Sequence, residues 1–180
     1  ESDVWRIFIQ MVFGLRSLHD LGIIHRDLKS ANVFLGQDGS VKLGDLNVSK
    51  VFKNEMNQTQ TGTPSYASPE VWKNENYSQK SDMWSLGCCL YELLTLTLPF
   101  AGRDMDDLYK MVVAGQFKPI PRHYSSDASK LLRVLLTAKP ERRPTCQELI
   151  ETPLFRSRAA QYRASLNYSH DAGFSPNPGS

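Results

Sequence analysis

The sequence predicts an α+β fold that is mainly helical and carries one short β-hairpin. Apolar residues recur at helical spacing over residues 4–18, which indicates a long amphipathic helix at the start of the chain. Two apolar triplets, 33–35 and 41–43, flank a polar turn that contains an Asp-Gly pair, and this pattern is typical of a hairpin. With 41% hydrophobic and 22% charged residues, the chain has the composition of a globular domain.

The bounds of the first elements follow from glycine, proline and the apolar runs. Gly22 is expected to end the first helix, because glycine readily adopts the left-handed conformation of a helix cap. Residues 45–70 show almost no periodicity and are predicted to form a long irregular segment of the kind that often carries function. Residues 83–94 are apolar nearly all round, which is typical of a central helix surrounded by others, and Pro99 is expected to close it.

Three more helices are predicted in the second half of the chain. The first spans about 104–114 and is ended by Gly115, and the second spans about 126–138. The last one opens at Thr145, because Thr145 and Glu148 have the spacing of a capping box.

Charge and cysteine usage exclude several classes of protein. The formal net charge is +2, which gives no reason to expect a nucleic-acid or membrane partner. No run approaches the roughly 18 apolar residues of a membrane span. Three irregularly placed cysteines are too few for a disulfide framework, so a reducing, cytoplasmic location is expected. Because the chain begins at Glu1 rather than Met, we also expect a preceding segment in the whole protein.

The most informative motif is His-Arg-Asp-Leu-Lys-Ser-Ala-Asn at residues 25–32, termed the catalytic loop below. It matches the pattern H-R-D-L-x-x-x-N in every specified position, and a second acid, Asp45, follows the hairpin. With these motifs the chain resembles the C-terminal lobe of a eukaryotic protein kinase over residues 1–156. Residues 157–180 are then a C-terminal extension, which is expected to be disordered toward its polar end.

This resemblance assigns the chemistry of phosphoryl transfer to particular residues. Asp27 is expected to orient the substrate hydroxyl and accept its proton, and Lys29 to place an ammonium near the transferred phosphate. Asn32 and Asp45 supply the hard oxygen ligands that Mg²⁺ prefers, so they are expected to hold the metal against the phosphates of ATP. Phe34 is expected to be a core residue, the floor of the adenine pocket, or both.

Other residues of the motifs have expected regulatory or structural roles. His25 follows two isoleucines and is expected to be a buried structural residue rather than a base. Arg26 resembles the arginine that receives an activation-loop phosphate, and Thr59 matches the usual phosphorylation site, although a solvated threonine is the alternative. Thr63 is expected to hydrogen-bond the catalytic loop and to shape the substrate platform.

Two further expectations concern buried charges. Asp82 resembles the acid that accepts backbone N–H groups of the catalytic loop, and Arg143 resembles the arginine that pairs with Glu70. One motif departs from the family pattern, because Leu46 and Asn47 follow the second acid where Phe-Gly is usual. Leucine keeps an apolar plug and asparagine tolerates positive φ, so metal binding is expected to survive. The departure leaves an inactive pseudokinase as an alternative.

Within the kinases, the chain is similar to the NIMA-related kinases. The similarity lies in residues 60–70, 80–88 and 115–121, and in Gly44 before the second acid. It implies a serine/threonine kinase whose partners are protein substrates, including microtubule, centrosomal or ciliary proteins. It also implies a location at the cytoskeleton, meaning the centrosome, basal body or cilium.

The 180 residues contain no G-x-G-x-x-G loop and no Val-Ala-Ile-Lys strand, which belong to the N-terminal lobe of a kinase. Because ATP lies between the two lobes in this fold, the chain alone is expected to catalyse little. The alternative function is a half-kinase scaffold that holds a cytoskeletal or ciliary partner without catalysis.

Overall fold

The structure of the protein, a computed structural model, describes residues 1–46 and 64–171, with side chains placed up to residue 166. The described helices are α1 (Ser2–Asp20), α2 (Pro69–Trp72), α3 (Gln79–Thr95), α4 (Met105–Ala114), α5 (Ser126–Leu135), α6 (Cys146–Glu151) and α7 (Pro153–Asp171). The described strands are β1 (Val33–Leu35) and β2 (Val41–Leu43), and single 3₁₀ turns lie at Ser30–Asn32, Pro64–Tyr66 and Pro140–Arg142. The predicted mainly helical architecture with one hairpin is confirmed.

The predicted end of α1 is confirmed at residue level. The helix stops at Asp20, and Gly22 adopts a φ of 72°, in the left-handed region. The N–H of Gly22 donates to the carbonyl of His19 at 3.0 Å, so the turn satisfies a carbonyl that the helix leaves open. The chain therefore reverses direction directly before the catalytic loop.

The hairpin is antiparallel, and Val33 lies opposite Leu43. Its turn contains Gly39 at a φ of 78°, as an Asp-Gly turn requires. The side chain of Gln10 in α1 fastens this turn, because its Nε2 donates to the Gly39 carbonyl at 3.1 Å and its Oε1 accepts from the N–H of Val41 at 3.1 Å. The turn end of the hairpin is thus fastened to α1.

The central helix is α3, as the apolar run predicted. Most of its side chains are buried, and Trp84 is fully buried in a stack with Phe100 at a centroid distance of 5.2 Å. A Cβ on Gly87 would lie 2.9 Å from the side chains of Leu135 and Leu136, so glycine permits the close approach of the α5 region. Helix α3 therefore forms the centre of the fold.

The central helix ends within one residue of the predicted run 83–94, but its cap is Leu96 and not the expected Pro99. The helix ends at Thr95, and Leu96 forms its left-handed cap at a φ of 56°. The N–H of Leu96 donates to the carbonyl of Glu92 at 2.8 Å, which is the contact of an αL cap. Sequence reasoning did not identify Leu96 as the cap, because leucine disfavours positive φ and is not a cap signal.

Helices α4 and α6 agree with the prediction, and α5 is shorter than predicted. Gly115 caps α4 at a φ of 63°, and Thr145 and Glu148 form the predicted capping box of α6. Helix α5 stops at Leu135 rather than near residue 138, and Leu136 is its cap.

The prediction that α6 is the last helix is wrong, because α7 follows it almost at once. Thr152 accepts the N–H of Phe155 at 3.2 Å, and Pro153 is the first residue of α7. Phe155 and Ala159 are buried against the core, with Tyr162 half-buried beside them. The polar remainder of the helix concealed this narrow apolar face in the sequence.

Burial makes the cysteines structural. Cys88, Cys89 and Cys146 are buried free thiols, and burial raises the pKa of Cys146 to about 12. Among the residues that the structure describes, we find no helix both long and apolar enough to cross a membrane.

Candidate active site

The catalytic loop places three predicted residues in direct contact. The Nζ of Lys29 donates to Oδ2 of Asp27 at 2.9 Å, and the Nδ2 of Asn32 donates to the same oxygen at 3.2 Å. Asn32 also donates to the main-chain carbonyl of Asp27 at 2.8 Å, so it braces both ends of that residue. The side chains of Asp27 and Lys29 are 27% and 22% exposed, so a bound substrate can reach both.

Asp82, at the start of α3, holds the preceding part of the loop. Its carboxylate is fully buried and accepts the main-chain N–H of His25 at 2.9 Å and that of Arg26 at 3.0 Å. Arg26 has a φ of 66°, a conformation that a residue with a side chain adopts only when its surroundings hold it there. The two hydrogen bonds that Asp82 accepts therefore fix the backbone directly before Asp27.

Two residues that sequence reasoning did not single out complete the environment of Asp82. The Nε2 of His19 lies 2.8 Å from Oδ2, and the hydroxyl of Tyr77 donates to Oδ1 at 2.8 Å. Burial, followed by the charge of Asp82, raises the pKa of Tyr77 well above its ordinary value, so the phenol remains a donor. His19 is one of the buried residues of α1. Nothing in the sequence around it indicates a polar partner 63 residues away.

The hairpin brings the second acid to the same place. The N–H of Gly44 donates to the carbonyl of Asn32 at 2.9 Å, which extends the ladder of β1 and β2 by one step. Asp45 follows at once, with a φ of 56° and an exposed side chain. Asn32 and Asp45, two side chains with hard oxygen atoms, thus flank the open end of the hairpin. The chemistry of this donor set fits Mg²⁺.

Phe34 lies beside this site rather than in the core. Its side chain is 56% exposed, so the alternative of a plain core residue is wrong. A Cβ on Gly44 would collide with its ring, which explains why glycine occurs before the second acid. Leu46, the predicted apolar plug, is 39% exposed. His25, by contrast, is 1% exposed, as expected of a structural residue.

A second hydrogen-bonded group connects the loop to α3. The hydroxyl of Tyr66 donates to Oε2 of Glu92 at 2.5 Å and lies 3.0 Å from Oγ of Ser30, inside the catalytic loop. Burial, followed by the hydrogen bond to Glu92, raises the pKa of Tyr66, so the phenol is protonated. Sequence reasoning missed this contact, because no local pattern links three segments so far apart in the chain.

Glu70 and Arg143 form a bidentate pair, as the resemblance led us to expect. The two guanidinium nitrogens of Arg143 lie 2.7 Å from the two carboxylate oxygens of Glu70, and both side chains are almost fully buried. Ser81 donates to the same carboxylate at 2.7 Å. Burial alone would raise the pKa of Glu70, but the hydrogen bonds and charge of Arg143 outweigh it, so the pKa is lowered.

Three residues singled out from the sequence, Asn47, Thr59 and Thr63, lie outside the described residues. The structure therefore leaves the contact of Thr63 with the catalytic loop and the role of Thr59 as predictions. In the described part of the chain, no group of three or more His, Cys, Asp or Glu side chains forms a metal cluster.

Comparison with known proteins defines the class to which this fold and site belong. The protein kinase domain family matches residues 1–155, and the chain belongs to this family. Within it, the chain is 40% identical to serine/threonine-protein kinase Nek4 of Mus musculus over 158 residues, which are 87% of this chain and 20% of that protein.

Two other relatives agree with this result. Nek1 of Mus musculus is 39% identical over 164 residues, covering 90% of this chain and 14% of Nek1. Nek5 of Homo sapiens is 38% identical over 165 residues, covering 90% of this chain and 23% of Nek5. The chain thus spans less than a quarter of the length of these relatives, and its predicted similarity to the NIMA-related kinases is confirmed.

Proposed function

We propose that this chain supplies the catalytic-loop half of a serine/threonine protein kinase of the NIMA-related type, which transfers the γ-phosphate of ATP to protein hydroxyls. The observation that carries the proposal is the geometry of Asp27, whose Oδ2 accepts from both Lys29 and Asn32. Kinase chemistry depends mainly on positioning and on charge stabilisation, and this arrangement supplies both.

Asp27 acts as the proton acceptor. Oδ2 is occupied by Lys29 and Asn32, whereas no described residue donates to Oδ1. Oδ1 can therefore accept the hydrogen bond of the substrate hydroxyl and take its proton as the oxygen attacks the γ-phosphorus. The bond from that phosphorus to the bridging oxygen breaks, and the proton stays on Asp27 until it is lost to solvent.

Lys29 and Asn32 keep Asp27 in this orientation. Lys29 places a positive charge beside the acceptor, where it stabilises the negative charge on the transferred phosphoryl group. Asn32 uses its Nδ2 for Asp27, which leaves its Oδ1 for a metal. When bound, Mg²⁺ would neutralise phosphate charge, and Asn32 and Asp45 are the residues that would hold it.

Regulation and location are parts of the same proposal. Arg26 would receive a phosphate on Thr59, and Thr63 would hydrogen-bond Asp27 and Lys29 on the substrate side. Phe34 would form the floor of the adenine pocket. Its exposed ring, which lies beside the site, supports this role. Cytoplasmic substrates at the centrosome, basal body or cilium, microtubule proteins among them, rest on the resemblance to the NIMA-related kinases alone.

The test is an Asp27→Asn variant of the protein at its full natural length. We expect the kcat for threonine phosphorylation of a mixed peptide substrate to fall by more than about 100-fold, since a positioned general base contributes at least that much. Asp106→Asn is the matched control, because Asp106 is exposed on α4 and outside the site. A melting temperature equal to that of the wild type shows that the fold is kept.

The same experiment separates the pseudokinase alternative, which rests on Leu46 and Asn47 standing where Phe-Gly is usual. A scaffold would show no ATP turnover in the wild type, and Asp27→Asn and Asp45→Ala would leave its partner binding unchanged. Either full activity in Asp27→Asn or an inactive wild type contradicts the proposed catalysis.

A further inference from the structure

A groove runs between α1 and α7, away from the catalytic loop. Its larger cavity has a volume of about 350 Å³ and its smaller one about 170 Å³, and both are lined by Phe13, Ala159 and Arg163. The volume of the larger cavity lies at the lower end of the range of ligand pockets. None of the described lining residues belongs to the catalytic loop, so the groove is separate from the proposed chemistry.

The apolar face of α7 continues the groove. Phe155, Ala159, Tyr162 and Leu166 share one face of the helix by their spacing. Their exposure rises along it, because Phe155 and Ala159 are buried, Tyr162 is half-buried and Leu166 is 46% exposed. The core therefore covers the beginning of this face and leaves the end uncovered.

The charge of the groove has one sign. Arg156 and Arg163 are its only charged residues among the described lining, and they lie about two helical turns apart on the same side of α7. Both are exposed, and neither forms an ion pair with a described residue. Arg158 differs, because it lies within 3.4 Å of Glu1 and 3.7 Å of Asp127.

We propose that this groove binds an acidic peptide segment of a partner protein. A large apolar side chain of the peptide fills the cavity beside Phe13 and Tyr162, and its carboxylates pair with Arg156 and Arg163. The end of this chain is a weaker candidate, because residues 172–180 contain Phe174 but no acidic residue. Charge complementarity therefore favours an acidic partner over residues 172–180.

The experiment selects binders from a random peptide library displayed on phage, with the full-length protein as bait. We expect the selected peptides to carry Asp or Glu next to a large apolar residue. In fluorescence anisotropy, such a peptide should bind Arg156→Glu/Arg163→Glu at least about tenfold more weakly than the wild type, which two charge pairs can supply. Its affinity should also fall with rising NaCl, because these charges are exposed.

Two controls keep the result interpretable. Arg122→Glu/Arg133→Glu reverses two exposed charges outside the groove and should leave the affinity unchanged. Arg156→Gln/Arg163→Gln removes the charges without reversing them, so a smaller loss is expected even if the reversed variant folds poorly. Selected peptides without acids, equal binding by both arginine variants and the wild type, or an empty selection would overturn the proposal. A chain ended after Asp171 that binds tenfold more tightly would assign the groove to residues 172–180 instead.

Discussion

Two buried carboxylates, Asp82 and Glu70, are compensated in opposite ways. Asp82 is fully buried and receives four hydrogen bonds, two from main-chain N–H groups and one each from His19 and Tyr77. Glu70 is 3% exposed and lies against a single guanidinium, that of Arg143, through two contacts of 2.7 Å. Asp82 is stabilised by hydrogen-bond donors from several segments, and Glu70 mainly by one guanidinium, with the Ser81 hydroxyl as an additional donor.

The difference follows the task of each site. Arg143 donates also to the carbonyls of Thr137 and Ala138 and to that of Lys80, so the ion pair joins the segment after α5 to α2 and α3. Asp82 connects α1 and α3 to the backbone of the catalytic loop instead. Glu70 and Arg143 thus stabilise the fold, whereas Asp82 fixes the geometry next to the proton acceptor.

The largest expected effect comes from removing the charge partner of Glu70. Arg143→Ala leaves a buried carboxylate without its cation, so the free energy of unfolding should fall by about 3–5 kcal/mol in urea denaturation. The matched control is Arg103→Ala, which breaks an exposed pair with Asp107 and should change stability by less than about 1 kcal/mol. Similar losses in the two variants would show that the buried pair does not hold the fold together.

The sequence predicted local turns well, but it gave little information on the long-range partners of these two acids. Local signals placed Gly22 and the hairpin turn correctly, because a glycine that needs positive φ leaves a pattern in the sequence. The contact between Glu70 and Arg143 came from family resemblance, since the two residues are 73 positions apart. His19 had no such signal, because its partner is set by tertiary packing.

Helix α7 was missed for a similar reason. Only one narrow face of it is apolar, so its average composition resembled a solvated tail, and packing against α1 and α6 decided its structure. The site was predicted better than the end of the chain, because the chemistry requires fixed residue types at fixed spacing in the catalytic loop.

The next effect separates positioning from stability at Asp82. Asp82→Asn replaces one acceptor oxygen by an NH₂ group, which then faces hydrogen-bond donors. We expect the free energy of unfolding to fall by about 2–3 kcal/mol. Amide hydrogen exchange of His25 and Arg26 should become faster, because both N–H groups lose a charged acceptor. In Arg143→Ala these two amides should exchange faster only by the global loss of stability. Equal local protection in the two variants would remove the distinction between the acids.

The ion pair should also be visible as a dependence on pH. The pKa of Glu70 in the folded state lies below its ordinary value of 4.5, so its contribution is complete above that pH and is lost as the pH falls through the folded pKa. The stability difference between the wild type and Glu70→Gln should be constant above about pH 5 and should shrink below about pH 4.5. Urea midpoints measured across this range provide the check, and a constant difference would contradict the lowered pKa.

The smallest expected effect concerns one of the four donors of Asp82. Tyr77→Phe removes a hydroxyl that donates to Oδ1 at 2.8 Å, and three donors to the carboxylate remain. We expect the free energy of unfolding in urea to fall by about 1 kcal/mol, because the remaining donors partly replace a single lost hydrogen bond. Tyr109→Phe is the control, since Tyr109 is 37% exposed and contacts Trp72 through its ring. A loss as large as that of Asp82→Asn would show that Asp82 depends on one dominant donor, as Glu70 depends on Arg143, and the contrast between the two carboxylates would then disappear.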